Sequence, residues 1–273
     1  MNLPLTLWAQ LYLYPLIAVF CLWGGLTVGL LWLNRRGARP AQLVLLLTIP
    51  LLIIAHHQMY AVRHDLSIIG AYQGVVAGML IWTWHELAFY SGVLTGPWRA
   101  PCPPAATGWR RFGYALSTHL YHEAAVIVEF CLLGWIALDA GNVAGPWTFA
   151  LLWALQHSAK LNVLLGARSL HVDALPVHLR YLGSFWTQRP SNPFFLPAVM
   201  TASVLALILW IAASLFAIDE PGRAVGLALL ATLTTLGILE HWLLVLPMGN
   251  LQPANVKVVP PAKPDISRLN IDS

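Results

Sequence analysis

The stretch Leu196–Ile218, LPAVMTASVLALILWIAASLFAI, holds no charged residue. A helix rising ~1.5 Å per residue needs roughly 20 apolar residues to cross a bilayer core about 30 Å thick. This run is long enough, and six more surround it, near Leu11–Leu33, Ala41–Val62, Ile68–Leu94, Tyr114–Leu138, Pro146–Gly166 and Ala224–Pro247. The pattern predicts an all-α polytopic membrane protein, a bundle of about seven transmembrane helices forming one domain over residues 1–250. Residues 251–273 carry Pro253, Pro260, Pro261 and Pro264 and read as a flexible tail. Composition agrees: 58% of the 273 residues are hydrophobic and 10% charged, against about 25% charged in soluble domains. So much apolar surface requires lipid as solvent. Met1–Gln10 contains no basic residue, so the first run is expected to stay as a helix and not to be cleaved as a signal peptide.

The basic residues assign orientation. Arg35, Arg36 and Arg39 fall in the first connection, Arg99, Arg110 and Arg111 in the third, and Arg168, Arg180 and Arg189 in the fifth. Lys257, Lys263 and Arg268 fall in the tail. Twelve of fifteen basic residues thus share one side, which the positive-inside rule makes cytoplasmic. The formal charge of +4 belongs to these loops and indicates membrane lipid, not nucleic acid, as the partner. Cys21, Cys102 and Cys131 are widely spaced and make no disulfide framework or zinc motif.

Small residues show how the helices meet. Gly70, Gly74 and Gly78 form a stripe on the third run, and Gly25 and Gly29 repeat the device on the first. Pro50 is expected to kink the second run. In the fifth connection, Leu175, Leu179, Leu182 and Trp186 share one helical face and predict an interfacial helix on the cytoplasmic leaflet.

Ionisable groups inside a membrane cost roughly 3 kcal/mol each, yet this chain has many. His85 and Glu86 lie in the third run, and His119, His122, Glu123 and Glu129 in the fourth. His157 and Lys160 lie in the fifth, and Glu240 and His241 in the seventh. Counted from the helix ends, Glu86, His122, His157 and Glu240 fall at about one depth, roughly 10–14 Å inside the cytoplasmic boundary. His119, His122 and Glu123 share a face by their i, i+3 and i+4 spacing. The expected site gathers His85, Glu86, His119, His122, Glu123, His157, Glu240 and His241. Imidazole with carboxylate suits a divalent transition metal. An imidazole among His85, His119, His122, His157 and His241 also suits the central magnesium of a chlorin such as bacteriochlorophyll. A proton or ion path, and simple pairing of helices such as Lys160 with Glu86 or Glu123, remain alternatives. His56 and His57 lie toward the opposite end of the second run and are expected to stay outside the cluster. The histidine boxes of membrane hydroxylases, the paired Glu-x-x-His of di-iron bundles, the Walker A loop and the nucleophile elbow are all missing.

Six segments carry a family resemblance: WHELAFY at Trp84–Tyr90 running into GPWRAPCP at Gly96–Pro103, GWRRF at Gly108–Phe112, LYHE at Leu120–Glu123, SAKLN at Ser158–Asn162 with Leu165-Gly166, and LPVHLRY at Leu175–Tyr181. In these the chain resembles the PuhE family, photosynthetic complex assembly proteins of purple phototrophic bacteria. The resemblance spans nearly the whole membrane region and carries no catalytic signature. It implies a factor for assembling the photosynthetic reaction centre and light-harvesting complex in the bacterial inner (intracytoplasmic) membrane. Reaction-centre or light-harvesting subunits would be its partners, bacteriochlorophyll a molecule it handles, and catalysis not its task. The alternative is a membrane metalloenzyme of pigment or lipid metabolism, resting on the His/Glu cluster.

The charge pattern predicts an N-terminus outside and a C-terminus inside. Reporter fusions at Asp65 and Ala140 are expected to report the periplasm, and a fusion in the tail the cytoplasm. A tail reporting the periplasm would reverse the orientation.

Overall fold

The computed structural model describes residues 5–247, and the basic and proline-rich tail lies outside them. Among these residues the chain is helical. The elements are α1 (Leu5–Arg35, π-helical over Ala9–Leu13), α2 (Ala38–Leu47), α3 (Ile49–Ala61), α4 (Ile68–Tyr90), α5 (Gly108–Ser117), α6 (Leu120–Ala137), α7 (Ala144–Leu165), α8 (Phe195–Phe216) and α9 (Pro221–Val245). Helix occupies every predicted run. Four helices, α1, α6, α8 and α9, are long and apolar enough to cross a membrane, and a fifth span results if the bent pair α2–α3 counts as one. Apolarity thus accounts for four or five spans against the seven expected. The other two, α4 and α7, have sufficient length at 23 and 22 residues. What sets them apart is polarity: Gln73, His85 and Glu86 on α4, and Gln156, His157, Lys160 and Asn162 on α7.

Helix α9 is the central post, with 67% of its apolar window buried, against 17% for α8 and 11% for α1. It packs on α1, α4, α7 and α8. Outside it, α8 turns Leu196, Met200, Val204, Leu207, Ile211 and Leu215 outward. Exposed apolar side chains at helical spacing are what a lipid-facing helix shows.

The α4 glycine stripe finds its partner in α7. A Cβ built on Gly78 would lie 2.5 Å from the Gly145 carbonyl oxygen and 3.0 Å from Thr148 Cβ, and one on Gly74 would lie 3.2 Å from the Gly145 amide. Only glycine permits this approach. Gly70 instead presses on the Asp65 turn, where the Ser67 hydroxyl accepts a 3.0 Å hydrogen bond from the Gly70 amide and caps α4. Gly25 and Gly29 face open space, so the expected packing stripe on the first helix has no partner among the described residues.

Two breaks redirect the chain. The second run bends by 44° at Thr48, where Pro50 begins α3 and withholds an amide hydrogen. The fourth run, expected as one helix from Tyr114, is cut at Thr118 and His119. There the His122 amide donates to Thr95 O at 3.0 Å, so it is not paired with the carbonyl four residues back. Thr118 turns its own hydroxyl onto Ala115 O. The Thr95–Trp98 loop fits against this break because Gly96 lies on the Ser117 carbonyl, where a Cβ would overlap. The predicted interfacial helix is two 3-10 turns, Val172–Ala174 and Val177–Phe185. Leu179 and Leu182 do lie on one face, but it packs on Phe89 of α4 and not on a leaflet. Arg111 ties the segment down by donating to Phe185 O and, at 2.9 Å, to Thr187 Oγ1.

Gly78→Ala is expected to cost about 1–3 kcal/mol in denaturant unfolding of the detergent-solubilised protein, because the added methyl overpacks the α4–α7 contact. Gly29→Ala, with open space around it, is expected to be neutral or to gain up to about 1 kcal/mol from helix propensity.

Candidate functional site

The α4–α7 contact puts the two polar helices in register. Thr148 faces Gly78, and eight residues further along each helix stand Gln156 and Glu86, joined by a 3.2 Å hydrogen bond from Gln156 Nε2 to Glu86 Oε2. At ~1.5 Å per residue, both have travelled about 12 Å from the same contact. Helix α6 enters this level at its first turn, carrying His122 and Glu123.

The carboxylates then divide. Glu123 receives Lys160 Nζ at 3.0 Å on Oε1 and His157 Nε2 at 2.9 Å on Oε2, and Trp153 Nε1 donates to the same Oε2 at 3.4 Å. Of the two expected Lys160 pairings, the one with Glu123 is formed. Glu129, one turn and a half deeper, meets His56 Nε2 at 2.7 Å and His85 Nε2 at 3.3 Å. Glu86 lies 3.7 Å from His122 Nε2 without a hydrogen bond between them. Glu240 lies on the wall of a cavity that Glu86 also lines.

His56 therefore belongs to the network, contrary to the expectation that it stays outside. His56 and Glu129 lie equally far from the starts of their expected runs, Ala41 and Tyr114, so they are level along straight helices; His56 is set outside only when measured against the shallower groups. Glu129 and Gln156 also carry more of the site than sequence reasoning assigns them. Gln156 is legible, since it neighbours His157 and shares a face with Lys160 at i+4. His56 is legible too, by its depth, once Glu129 is counted in the site.

The histidines divide as well. His56, His157 and His241 each donate Nδ1 to the carbonyl four residues earlier: Leu52 at 2.8 Å, Trp153 at 3.0 Å and Gly237 at 2.7 Å. A carbonyl only accepts, so this bond fixes each ring and presents Nε2 outward. Those Nε2 atoms meet Glu129, Glu123 and, at 2.8 Å, Ser158 Oγ. His85 and His122 have no such anchor. His85 Nδ1 and both His122 nitrogens are buried without a hydrogen-bond partner among the described residues. Their rings lie 6.5 Å apart, edge to face. His119, at the break, bonds no carboxylate, yet its carbonyl accepts the Glu123 amide at 2.9 Å and so keeps the expected i, i+4 register. It stacks on Phe89 at 4.8 Å and hydrogen-bonds Thr118 Oγ1 through Nδ1.

The eight expected residues, with Lys160, thus occupy neighbouring groups on α4, α6, α7 and α9, with His119 joined through Phe89, on which His122 also packs. Among the described residues, no three His, Cys, Asp or Glu side chains converge in metal-holding geometry. What they make is two carboxylates held by basic side chains, Glu123 and Glu129, with Glu86 and Glu240 lacking such a bond. Beside them is a cavity of about 210 Å³ between α1, α4, α7 and α9.

The family described as "Protein of unknown function (DUF3623)" matches residues 9–252. A protein of Rhodobacter capsulatus, described as "Uncharacterized 30.4 kDa protein in puhA 5'region", is 34% identical over 241 residues, 87% of each chain. No solved structure matches.

Lys160→Met is expected to destabilise the protein by about 3–5 kcal/mol by leaving Glu123 buried with one basic partner fewer. Adding Glu123→Gln should recover most of the loss. A double-mutant cycle in denaturant checks this, and strict additivity would show that the pair is not coupled.

Proposed function

This chain belongs to the DUF3623 family, and from that membership we propose a membrane-embedded assembly factor for the photosynthetic reaction centre and light-harvesting complex. The observation that carries the reading is the 34% identity, over 87% of both chains, to a protein whose description places it in the puhA 5' region. The likeness of six sequence segments to the PuhE family points the same way.

The surface supports it. An assembly factor works by holding apolar partners in the bilayer, and the outward face of α8 is a long aliphatic stripe with its neighbours on one side only. Trp135, Trp147 and Trp32 are also turned outward, and flat aromatic rings offer stacking surface to a macrocycle. In this reading the protein sits in the bacterial inner membrane with its C-terminus in the cytoplasm. Its partners are reaction-centre or light-harvesting subunits together with bacteriochlorophyll, and the polar network fixes the shape of the bundle.

Deletion of the gene in a phototrophic host under semi-aerobic conditions tests the proposal. The expected outcome is reduced reaction-centre and antenna absorption with an unchanged set of free pigments. Accumulation of one discrete biosynthetic intermediate would overturn it in favour of an enzyme.

A further inference from the structure

The four carboxylates within the bundle sort by partner. Glu123 holds Lys160 and His157, and Glu129 holds His56 and His85. The other two have no full cation against them. Glu86 has an amide and an unbonded imidazole, and Glu240 has no hydrogen-bonding or ionic partner among the described residues. These two, and not the satisfied pair, line the cavity between α1, α4, α7 and α9. A second observation is independent of the acids. Asn34, at the end of α1, lines the same cavity while only 6% exposed, and its side chain has no hydrogen-bond partner among the described residues. The cavity therefore brings together polar side chains that the protein leaves incompletely paired. Its remaining wall includes Trp23, Trp82 and Tyr90.

We propose that this cavity binds the ammonium head of a small amphipathic amine, with Glu86 and Glu240 as counter-charges and the Asn34 side chain as a further polar group on its wall. An ammonium group brings three N–H donors and one positive charge, which answers both deficits at once. A hydroxyl brings one donor and no charge, and a carboxylate is repelled. Aromatic walls add attraction for a cation. At about 210 Å³ the cavity exceeds the ~150 Å³ that accommodates benzene in an engineered protein core, so a one-ring or short-chain amine fits. Lys160 is near enough for its charge to act on Glu86, but its Nζ makes its ion pair with Glu123, at 3.0 Å, and not with Glu86 or Glu240. The inference does not depend on the assembly role, because it concerns binding by the isolated protein.

The test is calorimetric titration of the full-length protein, in non-ionic detergent, with benzylammonium, benzyl alcohol and benzoate. Saturable one-to-one binding of benzylammonium is expected, at least tenfold tighter than the alcohol and with no benzoate binding. Glu240→Gln, at the exposed rim where folding is not at stake, should weaken it tenfold or more. Ala159→Phe, which fills the cavity without touching a charge, should abolish it. Repeating the titration in nanodiscs of phosphatidylcholine, with and without phosphatidylethanolamine, separates two sources of the head group. Competition by the second lipid identifies a lipid ammonium as the occupant, and its absence a free amine. Equal affinity for amine and alcohol, indifference to Glu240→Gln, or no benzylammonium binding would each overturn the proposal, the last by showing that protons alone neutralise the carboxylates.

Discussion

The contact of Gly74 and Gly78 with Gly145 sets the distance and the register of the two most polar helices. Without a Cβ between them, α4 and α7 approach until backbone meets backbone, and van der Waals packing replaces the hydrophobic drive that lipid does not supply. Everything one level further on depends on that register. Glu86 comes opposite Gln156, and His157 and Lys160 come within reach of the acid that α6 delivers. A bulkier residue at any of the three glycines would widen the gap at the level where polar groups depend on 3 Å geometry.

Much of this is legible in the sequence. The uncharged run at Leu196–Ile218 requires lipid, the glycine period of four requires a close neighbour, and depth along the helices brings Glu86, His122, His157 and Glu240 to one level. What escapes is where a straight helix breaks: the fourth run is cut at Thr118 and His119, and the loop at Thr95 enters there. His56 is set aside for its distance from the shallower groups, yet it is level with Glu129 and bonds it. Gly25 and Gly29 escape for another reason. A small-residue period states that a helix permits close packing, but the partner is a property of the whole bundle. The leucines of the fifth connection give the right face and the wrong target, because an apolar stripe does not distinguish lipid from Phe89.

The anchoring of three histidines by their own helices divides the interior into a fixed and a less constrained part. His56, His157 and His241 are held by a carbonyl one turn earlier and serve as oriented partners. His85 and His122, on facing helices and without that anchor, keep open hydrogen-bonding capacity beside Glu86. Unmet capacity in a low-dielectric interior is costly, and part of it, on Asn34 and Glu86, belongs to residues that line the cavity.

The bond from the His122 amide to Thr95 O makes two distant parts of the chain complete one another. Thr95 and Thr118 are both buried, and each backbone group left unpaired away from water costs several kcal/mol. Neither α4 with its trailing loop nor the start of α6 can satisfy this position alone. The α4-to-α6 segment therefore completes its backbone hydrogen bonding only as a closed unit, loop and helix start together.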